Sequence, residues 1–280
     1  MHKSSLLGLC IVAFAVQLAA ADVSLGIGGG NRADFIDLNG QIKLYPAVEP
    51  TTSIKLKLSR LEEVDVTGDV KQSVTNFQAD SFTWASPELQ LIEVVNATAV
   101  VMQKIISRQT NTTFGITALA FHSDTTTPYG TGTVNVYNRA VKLTVQVEKW
   151  PFLSAFNKLR LTVEVLHIGG EAGYTGQATA LPSGETRYAF GPGAVDVQAK
   201  SINDGVMTNA PSKVTAIGSV HAVQLTFNSF VSTLVHDSTL HIIKADEEDL
   251  SAASTSASIN ASACALAIAV AAIFASKRAL

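Results

Sequence analysis

Thiols are nearly missing from this chain: its 280 residues include two cysteines, Cys10 and Cys264. Both lie in apolar terminal segments, so a body built from the residues between them can form no disulfide. Small secreted domains often lean on disulfides because their cores are thin. This chain must be held by burial alone. Residues 22–245 are long enough, since a body of about 200 residues buries roughly 70% of its unfolded surface.

Basic charge is scarce as well. The formal net charge is −3, and setting aside Lys3, Lys277 and Arg278 leaves 17 basic against 23 acidic residues, a balance of −6. With no basic stripe, no nucleic acid partner is expected. A mild acidic balance argues only for solubility.

Catalytic signatures are missing too. Gly26-Ile27-Gly28-Gly29-Gly30 is glycine-rich, but no Gly-Lys-Ser/Thr follows, so it reads as a flexible connection and not a phosphate cradle. There is no Gly-x-Ser-x-Gly elbow. His122, His167, His221, His236 and His241 have no Cys or Glu beside them at ligand spacing. His236 and His241 stand five apart, on opposite faces of any strand that carries both. No catalytic residue, metal or cofactor is expected. A Ser-His-Asp site assembled from distant positions stays open, because the fold alone brings such groups together.

What the chain does have is a pair of distinctive ends. Residues 1–21 combine a short basic start, an apolar run from Leu6 to Leu18 and Ala19-Ala20-Ala21. That is the pattern of a secretory signal cleaved after Ala21. Asp246-Glu247-Glu248-Asp249 opens a Ser-, Ala- and Thr-rich stretch over 246–260, read as a solvated stalk; a diffuse calcium contact is the sharper alternative. Residues 261–280 close the chain with an apolar run from Ala261 to Ala275, followed by Lys277 and Arg278. Small residues, a spacer and a hydrophobic tail are the order of a lipid (GPI) anchor signal, with attachment at Ser251 or Ala252. Fifteen residues make about 22 Å of helix, and a terminal basic pair also suits a short transmembrane segment. Either form would hold the chain to a membrane through its C-terminus; the third reading is a disordered Ala-rich tail.

The middle reads as strand after strand. Val141, Leu143, Val145 and Val147 alternate with Lys142, Thr144, Gln146 and Glu148; Leu159, Leu161, Val163 and Val165 alternate with Arg160, Thr162 and Glu164. A period of two puts one face on a core and the other toward water. Further candidates are Ile54/Leu56/Leu58, Phe82/Trp84, Thr98–Ile106, Thr113–Phe121, Thr133–Tyr137, Val195–Ala199, Val223–Phe230 and Thr239–Ile243. The expected fold is all-β: one antiparallel β-sandwich over 22–245, with helices only in the terminal signal and anchor segments. Gly169–Glu185 is expected to be a long surface loop. Tyr129–Val136 and Phe190–Val197 echo one another as turn-and-strand units.

Asn96-Ala97-Thr98 and Asn111-Thr112-Thr113 are glycosylation acceptors in an exported chain. Trp150-Pro151-Phe152, with Phe156 beyond, closes the clearest strand. Trp150 is the candidate ligand-facing aromatic; the competing reading folds it back over the core edge.

Several of these residues, taken in order, resemble a known family. Phe82-x-Trp84, Asn96-Ala97-Thr98, Gly132-Thr133-Val134, the run Val141–Phe152, Leu159–Val165, Gln224–Phe230 and Ser232-x-Leu234-x-x-Asp237 are similar to the non-acidic regions of coral skeletal aspartic-acid-rich and acidic skeletal organic matrix proteins. The resemblance spans roughly Asp80 to Ile243. It implies a β-rich extracellular scaffold. The Asp-rich runs thought to bind calcium or mineral in that family are absent, the corresponding loop holding only Glu171 and Glu185, and so are the family's cysteines near the strand end at Trp150.

The function expected from these features is a membrane-anchored surface or matrix protein, non-catalytic, acting through contacts with extracellular matrix or neighbouring-cell components. A carbohydrate-binding receptor is the alternative, and a surface hydrolase the more distant one.

Overall fold

The computed structural model describes residues 23–27, 30–36, 41–49, 51–75, 88–92, 97–107, 111–121, 123–168, 178–191, 193–217 and 220–242. The expected signal, stalk and anchor segments lie outside them, as do Ala21, Phe82, Trp84, Asn96, Ser251 and Ala252. Among the described residues the chain is all-β, and every strand pairing is antiparallel.

One sheet starts as a meander of β1 (Val23–Ile27), β2 (Asn31–Ile36), β3 (Gln41–Pro46) and β4 (Ser53–Val64). It continues through β12 (Lys158–Ile168) and β19 (Val220–Asn228) to β18 (Ser212–Ile217), and β5 (Val70–Val74) pairs with the far half of β4. The second sheet runs in the order β13 (Ala178–Ala180), β14 (Glu185–Phe190), β15 (Gly193–Gln198), β20 (Thr233–Ile242). It goes on through β11 (Ala140–Glu148), β8 (Thr112–Phe121), β7 (Ala97–Ser107) and β6 (Glu88–Ile92). Two hairpins complete the body: β9 (Thr125–Tyr129) with β10 (Gly132–Val136), and β16 (Lys200–Asn203) with β17 (Val206–Asn209), the latter joined to β20.

The two sheets share one hydrophobic core, a sandwich-like arrangement. Leu44, Ile54, Leu161 and Phe227 come from one side, and Phe114, Val141, Phe190 and Leu234 from the other. Alternation explains the placement. Val141, Val147, Leu159 and Leu161 are fully buried, and Val163 packs against the core while partly exposed. Seven such fully or nearly buried side chains on β11 and β12 contribute on the order of 10–20 kcal/mol gross, before chain entropy. A small apolar cavity of about 50 Å³ remains between the sheets, bordered by Leu56, Leu161 and Val223 on one side and Ile116, Leu143 and Val195 on the other.

A single bulge changes what β4 can do. Across from Thr162/Val163 the register slips by one residue, so that Thr162 pairs with Arg60 and Val163 with Leu58, leaving Ser59 over. Ile54, Leu56 and Leu58 point inward before the slip; Leu61 and Glu63 point inward after it. Glu63 would face solvent in an unbroken alternation. Instead it is completely buried.

A smaller core sits on the outer side of the second sheet, where Tyr129, Val134 and Val136 of the β9–β10 hairpin cover Leu119 and Phe121. The two echoing segments are equivalent hairpins. Tyr129 pairs with Gly132 and Phe190 with Gly193, each pair spanning a two-residue turn. Gly130 and Gly191 open those turns with positive φ, 58° and 54°, which suits glycine at the first turn position. Two expectations need correcting. Gly26 and Ile27 are not a flexible connection: they belong to β1, paired with Arg32 and Asn31, and Ile27 is buried. Within Gly169–Glu185, Ala178–Ala180 forms a strand against Thr186–Tyr188, so that part is sheet edge and not loop.

Candidate functional site

Strand direction defines two ends. At one, Glu148 lies opposite Thr233 and Thr113, and Val64 lies opposite Lys158. At the other, Ser53 faces Ile168, Gly193 faces Ile242 and packs close to Ile54, and the described chain leaves β20. The β11–β12 and β19–β20 connections meet at the first end, together with the β4–β5, β7–β8 and β16–β17 turns. It is the loop end of the molecule, and the chain toward residues 243–280 departs from the opposite one.

Three carboxylates lock these loops. Glu63 accepts hydrogen bonds from the Leu153 backbone N–H (2.8 Å) and Trp150 Nε1 (3.3 Å), and from the side-chain amides of Asn157 and Gln72. One buried group therefore fixes the β11–β12 connection at three points. Asp204 accepts from the backbone N–H groups of Val231, Ser232 and Thr233 at 2.6, 2.7 and 2.9 Å. Partial burial pulls the Asp204 carboxyl upward, but those three donors outweigh it and hold it below the usual range. Asp65 accepts from Thr67 and Asp69 backbone N–H groups and pairs with Lys71 at 2.7 Å. Lys71 and Thr67 together hold the Asp65 carboxyl well below the ordinary carboxylate range.

The loops so fixed touch one another. Phe152 and Phe230 pack edge to face at 5.3 Å, Ser229 Oγ donates to the Ala155 carbonyl, and the Lys149 N–H donates to the Ser232 carbonyl. Thr112 Oγ1 donates to the Lys149 carbonyl, which ties the start of β8 to the same cluster.

Apolar side chains project from this frame into solvent. Phe156 is 81% exposed, Val231 84%, Leu153 68% and Val206 64%. Val66 on the neighbouring turn is exposed as well. These side chains lie on or beside the loops of one end, where they are open to contact.

Trp150 is not part of that surface. It is 6% exposed, belongs to the main core and donates inward to Glu63, so its ring offers no platform to a ligand. Lys149 adopts a left-handed φ of 53° just before it, and the bond to Glu63 on β4 holds the ring inward. Asn111, just before β8 at this end, is exposed, accessible as an acceptor asparagine must be. Asn96 lies outside the described residues. Sequence reasoning passed over Asp204-Gly205, although Asp-Gly between two strands is a strong hairpin signal and both residues carry positive φ. Glu63 had no such signal, because the bulge that buries it depends on its partner strand.

Titratable groups also gather on the two sheets: Lys57 pairs with Glu164 at 3.1 Å and Arg160 with Glu62 at 2.9 Å on β4 and β12 of the first, and a larger group lies on the outer side of the second. Arg187 holds Asp196 through two bonds of 2.8 Å, with His241 Nε2 3.5 Å from the same carboxylate. Burial raises the Asp196 carboxyl, but Arg187 and His241 overcome that and set it at about 2. Beside them Lys142 pairs with Asp237 at 2.6 Å, and Thr144 Oγ1 donates to the same group. Burial first, then the Asp237 charge, pushes the Tyr129 phenol far above its usual value while its hydroxyl donates to the Lys200 carbonyl. These groups bind one another and fasten the hairpins to the sheet. Among the described residues, no three His, Cys, Asp or Glu side chains converge to hold a metal ion, and no helix is long and apolar enough to cross a membrane.

No protein-family model matches the chain, and comparison with curated proteins gave no match.

Proposed function

We propose that the chain is an exported, membrane-anchored β-sandwich that acts as a non-catalytic interaction module at the cell surface, contacting extracellular matrix or neighbouring-cell components. The observation that carries this reading is the loop end: exposed Phe156, Leu153 and Val231 stand on connections fixed by Glu63 and Asp204, and exposed Val206 opens β17 beside Asp204-Gly205. Fully covering such a side chain is worth roughly 1.5–3 kcal/mol. Because the loops are already ordered, little of that is spent on ordering them at contact. The signal-like residues 1–21 and the apolar run after Ala261 supply export and tether, and the described chain departs toward that tether from the end opposite the loops. The likeness to coral skeletal matrix proteins supports an extracellular scaffold role.

The test compares cells displaying the full chain with cells displaying Phe156→Ser/Val231→Ser, on matrix preparations and on cell monolayers. Adhesion at least fivefold weaker for the variant, at equal surface level, supports the reading. Equal adhesion overturns it. Release of the displayed chain by a phosphatidylinositol-specific phospholipase identifies a lipid anchor, and retention identifies a membrane-spanning one.

A further inference from the structure

We propose that the outer face of the first sheet binds a linear anionic polysaccharide of the matrix, a sulfated or carboxylated chain held by Lys43, Lys55, Arg60 and Lys213. This rests on the exported interaction module argued above and adds a contact surface along the side of the body. Charge carries it. The chain is acidic overall, with 20 basic against 23 acidic residues, yet the strands of the first sheet hold nine lysines and arginines against four carboxylates. One of the four, Glu63, is buried and faces the core. The strands of the second sheet hold four basic residues against five acidic ones. No run of basic residues reveals the face in the sequence, because strand pairing assembles it from positions as distant as Lys43 and Lys213.

Alternation turns Leu56, Leu58, Leu161 and Val223 into the core and the charged side chains between them outward. Lys43 lies directly opposite Lys55 in the β3–β4 ladder, with Lys57 two residues on. Like charges so placed repel, and the other cross-strand neighbour of Lys55 is Leu166, which offers no relief. Asp34, opposite Lys43 on β2, accepts from Ser24, while Lys43 Nζ stands 4.7 Å over the Tyr45 ring. Glu62 and Glu164 are taken by Arg160 and Lys57. Among the described residues Lys43, Lys55, Arg60 and Lys213 form no ion pair, and all four are partly or fully exposed. From β3 to β18 they span four strand spacings, about 19 Å, so a linear polyanion meets several at once where a single small anion meets one. A sheet twists by roughly 20–25° per strand, so a flat lipid surface reaches only part of this face while a flexible chain follows it. Tyr45 is the sole aromatic on the outward positions of these strands, too little to stack the bases of a nucleic acid. The acidic remainder of the molecule repels the polymer and confines it to this face.

The test measures binding of the full chain, purified in detergent, to immobilised heparin. The expected result is binding in dilute salt that weakens at least tenfold when the salt is raised about fourfold, as screening requires. Lys43→Gln/Lys55→Gln should lower the affinity at least fivefold, and Arg60→Gln/Lys213→Gln should do the same by removing a separate part of the face. Lys55→Gln alone should cost at least twofold, whereas Lys200→Gln, the same charge change on an exposed lysine of the second sheet, should leave the affinity unaltered. Lys55→Glu should lower binding at least tenfold while its urea midpoint stays level or rises, because Lys43 then faces a carboxylate; a merely structural role for Lys55 would lower the midpoint instead. Equal losses for Lys55→Gln and Lys200→Gln overturn the assignment to this face, and no binding in dilute salt overturns the polysaccharide. Tighter binding to vesicles of phosphatidylcholine and phosphatidylserine, or to a single-stranded DNA oligomer, also overturns it and gives the face to lipid or nucleic acid. Failed heparin binding beside intact adhesion of displaying cells to matrix sinks this inference alone; failure of both sinks the functional reading with it.

Discussion

Replacing Glu63 by alanine should unfasten the loop end and cost the body about 4 kcal/mol. The carboxylate is fully buried and takes hydrogen bonds from four donors, of which Trp150 Nε1 and Asn157 Nδ2 belong to buried residues. A buried donor left without a partner costs roughly 1–3 kcal/mol, and two such donors with the Leu153 N–H give the total, even after the cost of burying a charge is recovered. Glu63→Gln keeps the shape but turns an amide NH₂ toward other donors, so it should recover only part of the loss. In a body of about 220 residues, 4 kcal/mol lowers Tm by roughly 8–16 °C. Urea unfolding of the full chain followed by tryptophan fluorescence reads the stability, and hydrogen exchange at Leu153 and Asn157 reads the loop. A Glu63→Ala variant within 1 kcal/mol of the parent, with Leu153 still protected, would refute the locking argument.

His236 lies fully buried against Phe227, and burial pushes its ring down to about 4 from 6.5. The unfolded chain therefore binds more protons between pH 6.5 and 4, and stability should fall by about 3 kcal/mol as the pH drops through that window. Urea midpoints should show that slope in the parent and lose it in His236→Leu. Lys142→Met strands Asp237 in a site 4% exposed and should cost about 3–5 kcal/mol, whereas Lys142→Met/Asp237→Leu should recover most of it; thermal melts of both variants check the pair. A Cβ on Gly193 would stand 2.8 Å from the His241 carbonyl oxygen and from Ile54, so Gly193→Ala should cost about 1–3 kcal/mol in the same melts. Gly132→Ala, whose nearest neighbour is 3.8 Å away, should be far milder.

Strands with uninterrupted alternation were legible from residues alone. β11 and β12 declare their inner faces in Val141–Val147 and Leu159–Val165, and β8 follows closely; β19 begins three residues earlier than its expected Val223, and only the Thr239–Ile242 part of β20 was read. Short strands such as β16 and β17 were not, since Lys200–Asn203 and Val206–Asn209 carry too few apolar residues to show a period; only Asp204-Gly205 between them signals a turn. The loop end was half legible. Trp150-Pro151-Phe152 marks a strand end, but whether an aromatic there faces outward or inward depends on the path of the next residues. The left-handed Lys149 and the buried Glu63 send Trp150 in and leave Phe156 out. The long-range hydrogen bonds that fix this, such as Asn157 to Glu63 across 94 positions, have no local trace.

The most direct measurement is labelling of Phe156→Cys, in the full chain with Cys10 and Cys264 replaced by alanine, on intact cells with a membrane-impermeant maleimide. Rapid labelling without permeabilisation, beside an unreactive Trp150→Cys, is the result expected of an exported body with its apolar loops facing outward and Trp150 turned in. Labelling of Phe156→Cys that appears only after permeabilisation, or equal labelling at both positions, contradicts it.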